Sequence, residues 1–341
     1  MVSNPRPDGT NPVLKHQIPT MAKMSRLALL PFIQGPEEVL VGGQAVIEGV
    51  MMRSPHSWAV AVRKASGSLA VARDYLSRPS EKHPWLKYPV LRGLGVLGQA
   101  MVVGLRALRY SAQEALEGGE GGRKKKSRWE DWLLALNLVF SLAFFIVFYK
   151  FVPLYTATLI QRHFGVIHNF ILFNLTDGIV RLVLFFGLLL AVAQGREIKR
   201  VFEYHGAEHK VVWAFEKTGG HADLESCRSA TRFHPRCGTS FLLVVMLIAL
   251  LVYLFLPFQS FAWKLISRIA LLPVIAGVSY EFIRFAAKAQ GGVWWLASQP
   301  GLWLQRITTR EPDDVQLETA IKALESTMEL EKARGGELVV A

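Results

Sequence analysis

Long uncharged runs alternate with charged stretches along this chain. Trp132–Tyr149 carries no charge and is rich in Leu, Phe and Val. That run predicts a membrane-spanning helix over 132–154, since about 20 mostly apolar residues cross the hydrocarbon core. Cys237–Trp263 is also uncharged, and Phe241–Phe255 within it is almost wholly aliphatic and aromatic, which predicts a span over 240–258. Lys264, Arg268 and Glu281 bracket the apolar Ile269–Tyr280, giving a span over 263–285 with charged ends. A further span over 172–194 contains Asp177 and Arg181, four residues apart on one helix face. The pair reads either as an intrahelical ion pair near the outer interface, with Arg181 snorkelling, or as a polar site inside the bundle. The stretch 90–108 is apolar but Gly-rich, and its uncharged part is too short to span. It predicts an amphipathic or re-entrant helix over 89–117, packed on the bundle.

The pattern changes outside these runs. Trp58–Val62 and Leu69–Val71 are short strand-like runs, joined by a turn at Gly67. Val41–Met52 reads as strand with glycine turns, so 37–88 is expected to be a small β-containing cytosolic domain. Gly42, Gly43 and Gly49 do not form a phosphate loop, because no Gly-Lys-Ser/Thr follows them. Asp313 and Asp314 stand where a helix cap belongs, and Val315, Ile321, Leu324 and Met328 follow as one apolar stripe. A cytosolic amphipathic helix docking on the domain is expected there. It closes a segment, 286–341, whose Trp294, Trp295 and Trp303 suit the headgroup level. Residues 1–36 read as a polar leader and 118–131 as a basic linker. The fold class expected is an integral membrane, mainly α-helical protein. Four transmembrane helices would carry a small cytosolic α+β domain, built from the N-terminal segment, the 195–239 loop and the C-terminal helix.

Composition sharpens this picture. Of 341 residues, 51% are apolar and 19% charged, which excludes a disordered chain. Two cysteines exclude a disulfide scaffold. The formal charge of +12 is segregated. Arg109, Arg123, Lys124, Lys125, Lys126 and Arg128 precede the first span, and eight basic residues lie in 195–236. The segment 153–165 has only Arg162, and 256–263 has no basic residue. By the positive-inside rule the basic segments and both termini face the cytoplasm. The charge is then an orientation code, and nucleic acid is not an expected partner. The expected partners are the bilayer, anionic lipid headgroups at the basic segments, a second copy of the chain, and a cytosolic factor such as the ribosome.

Candidate chemistry concentrates in 195–239. His205 and His209 are one helical turn apart, with Glu208 on the same side. Two imidazoles so spaced can bind one zinc ion, and a neighbouring Glu can take a proton from bound water. His-x-x-Glu-His is also the inverted form of a zinc-peptidase signature. Phe233–Ser240 leads into the span at 240–258 with His234 and Cys237 three apart. Cys237 or His234 would supply the third ligand, and Glu281 could serve instead. Alternatives stay open: surface histidines, and a small buried cysteine at a helix start. Cys227 and His221 carry no expected role.

At these residues the chain resembles the YqhQ-like family of bacterial multi-pass membrane proteins, a domain of unknown function. The resemblance rests on Gly42–Arg53, Tyr204–Lys210, His234–Phe241 and Pro300–Pro312, and covers about 37–325. It implies a bacterial plasma-membrane location and a metal-dependent enzyme. It also directs attention to Gln44, Glu48 and Arg53. If their segment packs over 195–239, Glu48 would complete the site. Three functions compete: a metal-dependent hydrolase with Glu208 as base, a non-enzymatic membrane scaffold or assembly factor, and a transporter or channel lined by Asp177 and Arg181.

Overall fold

The structure is a computed structural model, and it describes residues 41–116, 128–165, 167, 169–257, 260–288 and 293–334. The leader 1–36 and the basic run Arg123–Lys126 lie outside the described residues.

The sheet is an antiparallel meander of β1 (Gly42–Val46), β2 (Gly49–Arg53), β3 (Ser57–Arg63) and β4 (Leu69–Tyr75), paired in sequence order. Val46 faces Gly49 across the first turn, where Glu48 takes a left-handed φ of 52°. Gly67 turns the β3–β4 hairpin with φ 83°, a conformation open to glycine without steric cost. Successive side chains of a strand point to opposite faces, so the sheet has two apolar surfaces. Val46, Met51, Val60 and Val62 pack on Val103 and Ala107 of helix α1 (Leu91–Leu116). Val50, Met52 and Ala61 pack on two other helices, α5 (Arg196–Lys217) and α11 (Asp314–Ala333), through Tyr204, Ala207, Val211, Leu317, Ala320 and Leu324.

Helix α11 starts where its cap predicts, with Asp313 accepting from the Gln316 amide at 2.8 Å. Its apolar stripe differs from the expected one at the first position. Val315 is exposed and Leu317 is buried in its place. Leu317, Ala320, Leu324 and Met328, at helical spacing, are the residues that meet the sheet, while the Val315 carbonyl instead accepts from Arg63.

The apolar helices come next: α2 (Arg128–Ile146), a π-helical turn (Val147–Phe151), α3 (Val152–Phe164), α4 (Phe170–Val192), α7 (Gly238–Leu254), α8 (Phe261–Ala270), α9 (Leu272–Lys288) and α10 (Val293–Thr308). The short α6 (Leu224–Ser229) lies between α5 and α7. Among the described residues, three stretches are long and apolar enough to cross a membrane: Leu91–Ala115, Val139–Phe164 and Phe170–Val192. The α8–α9 pair, bent by 46°, makes a fourth if it is one span. Helix α7 is apolar but shorter, at 17 residues. The stretch expected to be too short is a continuous helix because charged and polar residues extend it beyond its uncharged centre. Helix α5 starts at Arg196, capped by Gly195 after the turn that ends α4. Trp303 is exposed on α10, whereas the side chains of Trp294 and Trp295 lie outside the described residues.

Glu331 fastens α11 to the sheet. Its carboxylate, 3% exposed, accepts from the Ser54 hydroxyl (2.6 Å), the Ser57 hydroxyl (3.0 Å) and the His56 amide (3.1 Å). Burial alone would raise its pKa, but these hydrogen bonds together with that of the His56 ring outweigh burial and hold it below the usual carboxylate value. A depressed native pKa stabilises above the ordinary carboxylate pKa and is lost as pH falls through the native one. Glu331→Ala is therefore expected to cost about 2 kcal/mol near neutral pH, by leaving buried donors unpaired. Thermal unfolding in detergent should show the gap between wild type and variant narrowing below about pH 4.

Candidate metal centre

The two histidines on α5 point toward the N-terminus of α7. His205, His209 and Cys237 bring one ligand atom each within 4.8 Å of one another, and all three residues are enclosed. Nε2 of His205 lies 3.2 Å from the Cys237 sulfur. Cys237 is the N-cap of α7, which sets its sulfur at the positive end of a helix dipole. The Thr239 hydroxyl lies 3.0 Å from the sulfur.

Backbone carbonyls fix the tautomers of both rings. Nδ1 of His205 is 2.8 Å from the Thr308 carbonyl, and Nδ1 of His209 is 2.5 Å from the Arg232 carbonyl. A carbonyl only accepts, so each Nδ1 carries a proton, and the neutral ring in that tautomer offers its lone pair on Nε2. This is the usual environment of a metal-bound imidazole. Nε2 of His209 is buried without a hydrogen-bond partner. Buried polar atoms are normally satisfied, and the Nε2 of His234 is left in the same state.

The carbonyls come from the α10–α11 connection and from the loop before α7. Thr308 ends α10, so its carbonyl has no intrahelical partner. Gly206, between the two histidines, lets the α10–α11 connection approach. A Cβ there would lie 2.0 Å from the Arg310 carbonyl oxygen. Arg310 in turn donates its amide to the Phe202 carbonyl at 2.9 Å. On the other side, Gln305 holds the loop before α7. Its side chain accepts from the His234 amide (2.8 Å) and donates to the His234 carbonyl (2.7 Å) and the Ser240 hydroxyl (2.9 Å).

The remaining candidates separate in space. His234 lies beside the site, tilted 5.7 Å from the His209 ring and edge-on 5.0 Å from Trp213 between centroids. Its Nδ1 accepts from the Arg236 amide at 3.2 Å, which leaves the proton on Nε2. Burial pushes its pKa down to about 4, so it is neutral at pH 7. It supports the loop and does not join the triad. Glu208 does reach the site. Its carboxylate is buried, 3.9 Å from His205 Nε2, with Gly43 of β1 against its side chain. Arg53 feels the Glu208 charge, while burial draws its own pKa down. Gln44 lies against Gly104 of α1. The sheet thus packs against α5, but Glu48 does not complete the site. It pairs with Arg200, with Oε2 2.7 Å from Nη2, and meets the Tyr204 hydroxyl at 3.4 Å. Glu281 is not part of the triad either. It binds Arg92 of α1, whose Nε donates at 2.7 Å. Cys227 is a core residue whose thiol burial pushes up to about 11, and His221 is exposed. Asp177 and Arg181 do form an intrahelical pair at 2.6 Å, but both are buried, so Arg181 does not snorkel.

Gln305 and Thr308 carry no pattern that announces a role, although both lie inside the Pro300–Pro312 motif. A mainly helical chain with several apolar helices, a four-stranded sheet and a buried His/Cys triad is the class these features define. The chain belongs to the family described as "Protein of unknown function (DUF1385)", which matches residues 88–330. It is 34% identical over 309 residues to "Uncharacterized protein YqhQ" of Bacillus subtilis (strain 168), covering 85% of this chain and 92% of that protein. No solved structure matches.

Gln305→Leu should strip three hydrogen bonds from a fully buried position and cost about 2 kcal/mol or more. Cys237 should then react faster with a thiol reagent in the folded protein. Unchanged labelling would show that Gln305 does not hold the loop.

Proposed function

We propose that this is a multi-pass membrane protein whose cytoplasmic face carries a zinc-dependent hydrolytic site. His205, His209 and Cys237 would hold the metal, and Glu208 would accept and return a proton beside it. The carrying observation is the pair of carbonyl-fixed imidazoles, with an unpartnered Nε2 on His209, facing one cysteine sulfur. Two nitrogens and a thiolate suit zinc, and three protein ligands leave a position open. A zinc ion there would supply Lewis acidity to a substrate or water. The chain's own part is to fix the ligand geometry and to hold a buried carboxylate, Glu208, within reach. The basic residues of 195–236 support a cytoplasmic side for this face, where thiols stay reduced.

A second reading has a specific support. The three ligands are enclosed beneath the α10–α11 connection, as a closed structural site would be. The metal would then staple α5 to α7 and leave a non-enzymatic scaffold.

Metal analysis of the protein purified in detergent separates these readings from each other and from their failure. One zinc per chain is expected in wild type, and less than a tenth of that in His209→Ala. Glu208→Gln should keep the zinc and the thermal stability, yet fail to complement a deletion strain. Full complementation by Glu208→Gln favours the staple. No metal in wild type contradicts both.

A further inference from the structure

A second polar cluster lies at the other end of α7, and neither the metal nor its reaction uses it. Cys237 precedes the first residue of α7 and Tyr253 is near its last, so the two sites are about 24 Å apart at 1.5 Å per residue. Around Tyr253 stand three buried cations. The guanidinium carbons of Arg181 and Arg268 are each 5.1 Å from the Tyr253 ring centroid, and Lys150 Nζ is 5.4 Å from it. Lys150 is 4% exposed, Arg181 3% and Arg268 0%.

These cations are under-compensated. Among the described residues Asp177 is the carboxylate paired with them, 2.6 Å from Arg181 and 3.4 Å from Arg268. Arg268 also donates to Asn174 at 2.6 Å and to the Lys264 carbonyl at 3.0 Å. Arg181 donates through Nε to the Tyr149 carbonyl at 3.1 Å, on the π-helical turn, where the regular helical bonding pattern is interrupted. Lys150, on the same turn, meets the Tyr253 hydroxyl at 3.2 Å, and that hydroxyl donates to the Arg268 carbonyl. Nη1 of Arg181 and Oδ1 of Asp177 are buried without a partner. Two guanidiniums and a lysine against one carboxylate, enclosed among apolar helices, are expensive unless an anion joins them.

We propose that Lys150, Arg181 and Arg268 form an anion site that takes a phosphate group, carried either by a lipid headgroup or by a soluble phosphate. Two guanidiniums, which keep their charge when buried, outnumber the one carboxylate, and a phosphate can take donors from both of them and from Lys150. The free Arg181 Nη1 and the lysine ammonium supply donors that phosphate oxygens accept well. This inference stands apart from the metal reading.

The test uses the full chain, delipidated in dodecyl maltoside, which carries no phosphate. Thermal unfolding is titrated separately with inorganic phosphate and with phosphatidylglycerol, against sodium chloride at equal ionic strength. Protection by one of the two, weakened at least tenfold in Lys150→Met, supports the site and names its source. Protection by both shows that the phosphate itself suffices. If Lys150→Met does not fold, Lys150→Gln replaces it, and native mass spectrometry of wild type reads the bound phosphate or phospholipid directly. No protection of wild type by either ligand overturns the proposal. So does protection that is undiminished in the lysine variants.

Discussion

A neutral imidazole offers its Nε2 lone pair when its proton sits on Nδ1, and an acceptor beside Nδ1 favours that tautomer. In this protein two carbonyls do so, and the arrangement around the triad follows from supplying them. Thr308 can give its carbonyl because α10 ends there, and Arg232 can give its own because its loop is not helical. The approach of the α10–α11 connection depends on Gly206, since any side chain would meet the Arg310 carbonyl. The helix that carries the two histidines is therefore also the helix that must be bare at Gly206 between them.

The same connection ties the site to the rest of the fold. It leads into α11, which packs on the sheet through Leu317, Ala320 and Leu324. The sheet in turn lies against Glu208 at Gly43 and against α1 on its other face. Gln305, one turn before Thr308, grips the His234 backbone just ahead of Cys237. A displacement of α11 would move a carbonyl and the sheet wall beside Glu208. Long-range packing, more than local sequence, therefore sets the orientation of the two imidazoles.

Much of this is legible in the sequence, and the rest is hidden for definable reasons. His205, Glu208 and His209 share a face because four-residue spacing is one helical turn, a pattern that survives any detail of packing. The apolar helices are visible because a long uncharged run must be buried, whether in a protein core or in a bilayer. The choice among Cys237, His234 and Glu281 is not visible, because each depends on contacts that spacing alone does not fix. Glu281 is taken by Arg92, and the His234 Nδ1 by a local amide. Glu48 escapes for the same reason. Its partner Arg200 lies more than one turn before His205 on α5, so the carboxylate is held away from the triad. Thr308 acts through its backbone, which side-chain identity does not announce. The departure at Val315 is smaller. An apolar residue near a helix start can face solvent, and the sheet takes Leu317 instead.

Zinc K-edge X-ray absorption on the purified wild-type protein is the most direct test of the triad. A first shell of one sulfur at about 2.3 Å and nitrogen at about 2.0 Å is expected, with the sulfur contribution gone in Cys237→Ser. A shell without sulfur in wild type, or one unaltered by Cys237→Ser, would contradict the assignment of His205, His209 and Cys237 as the metal ligands.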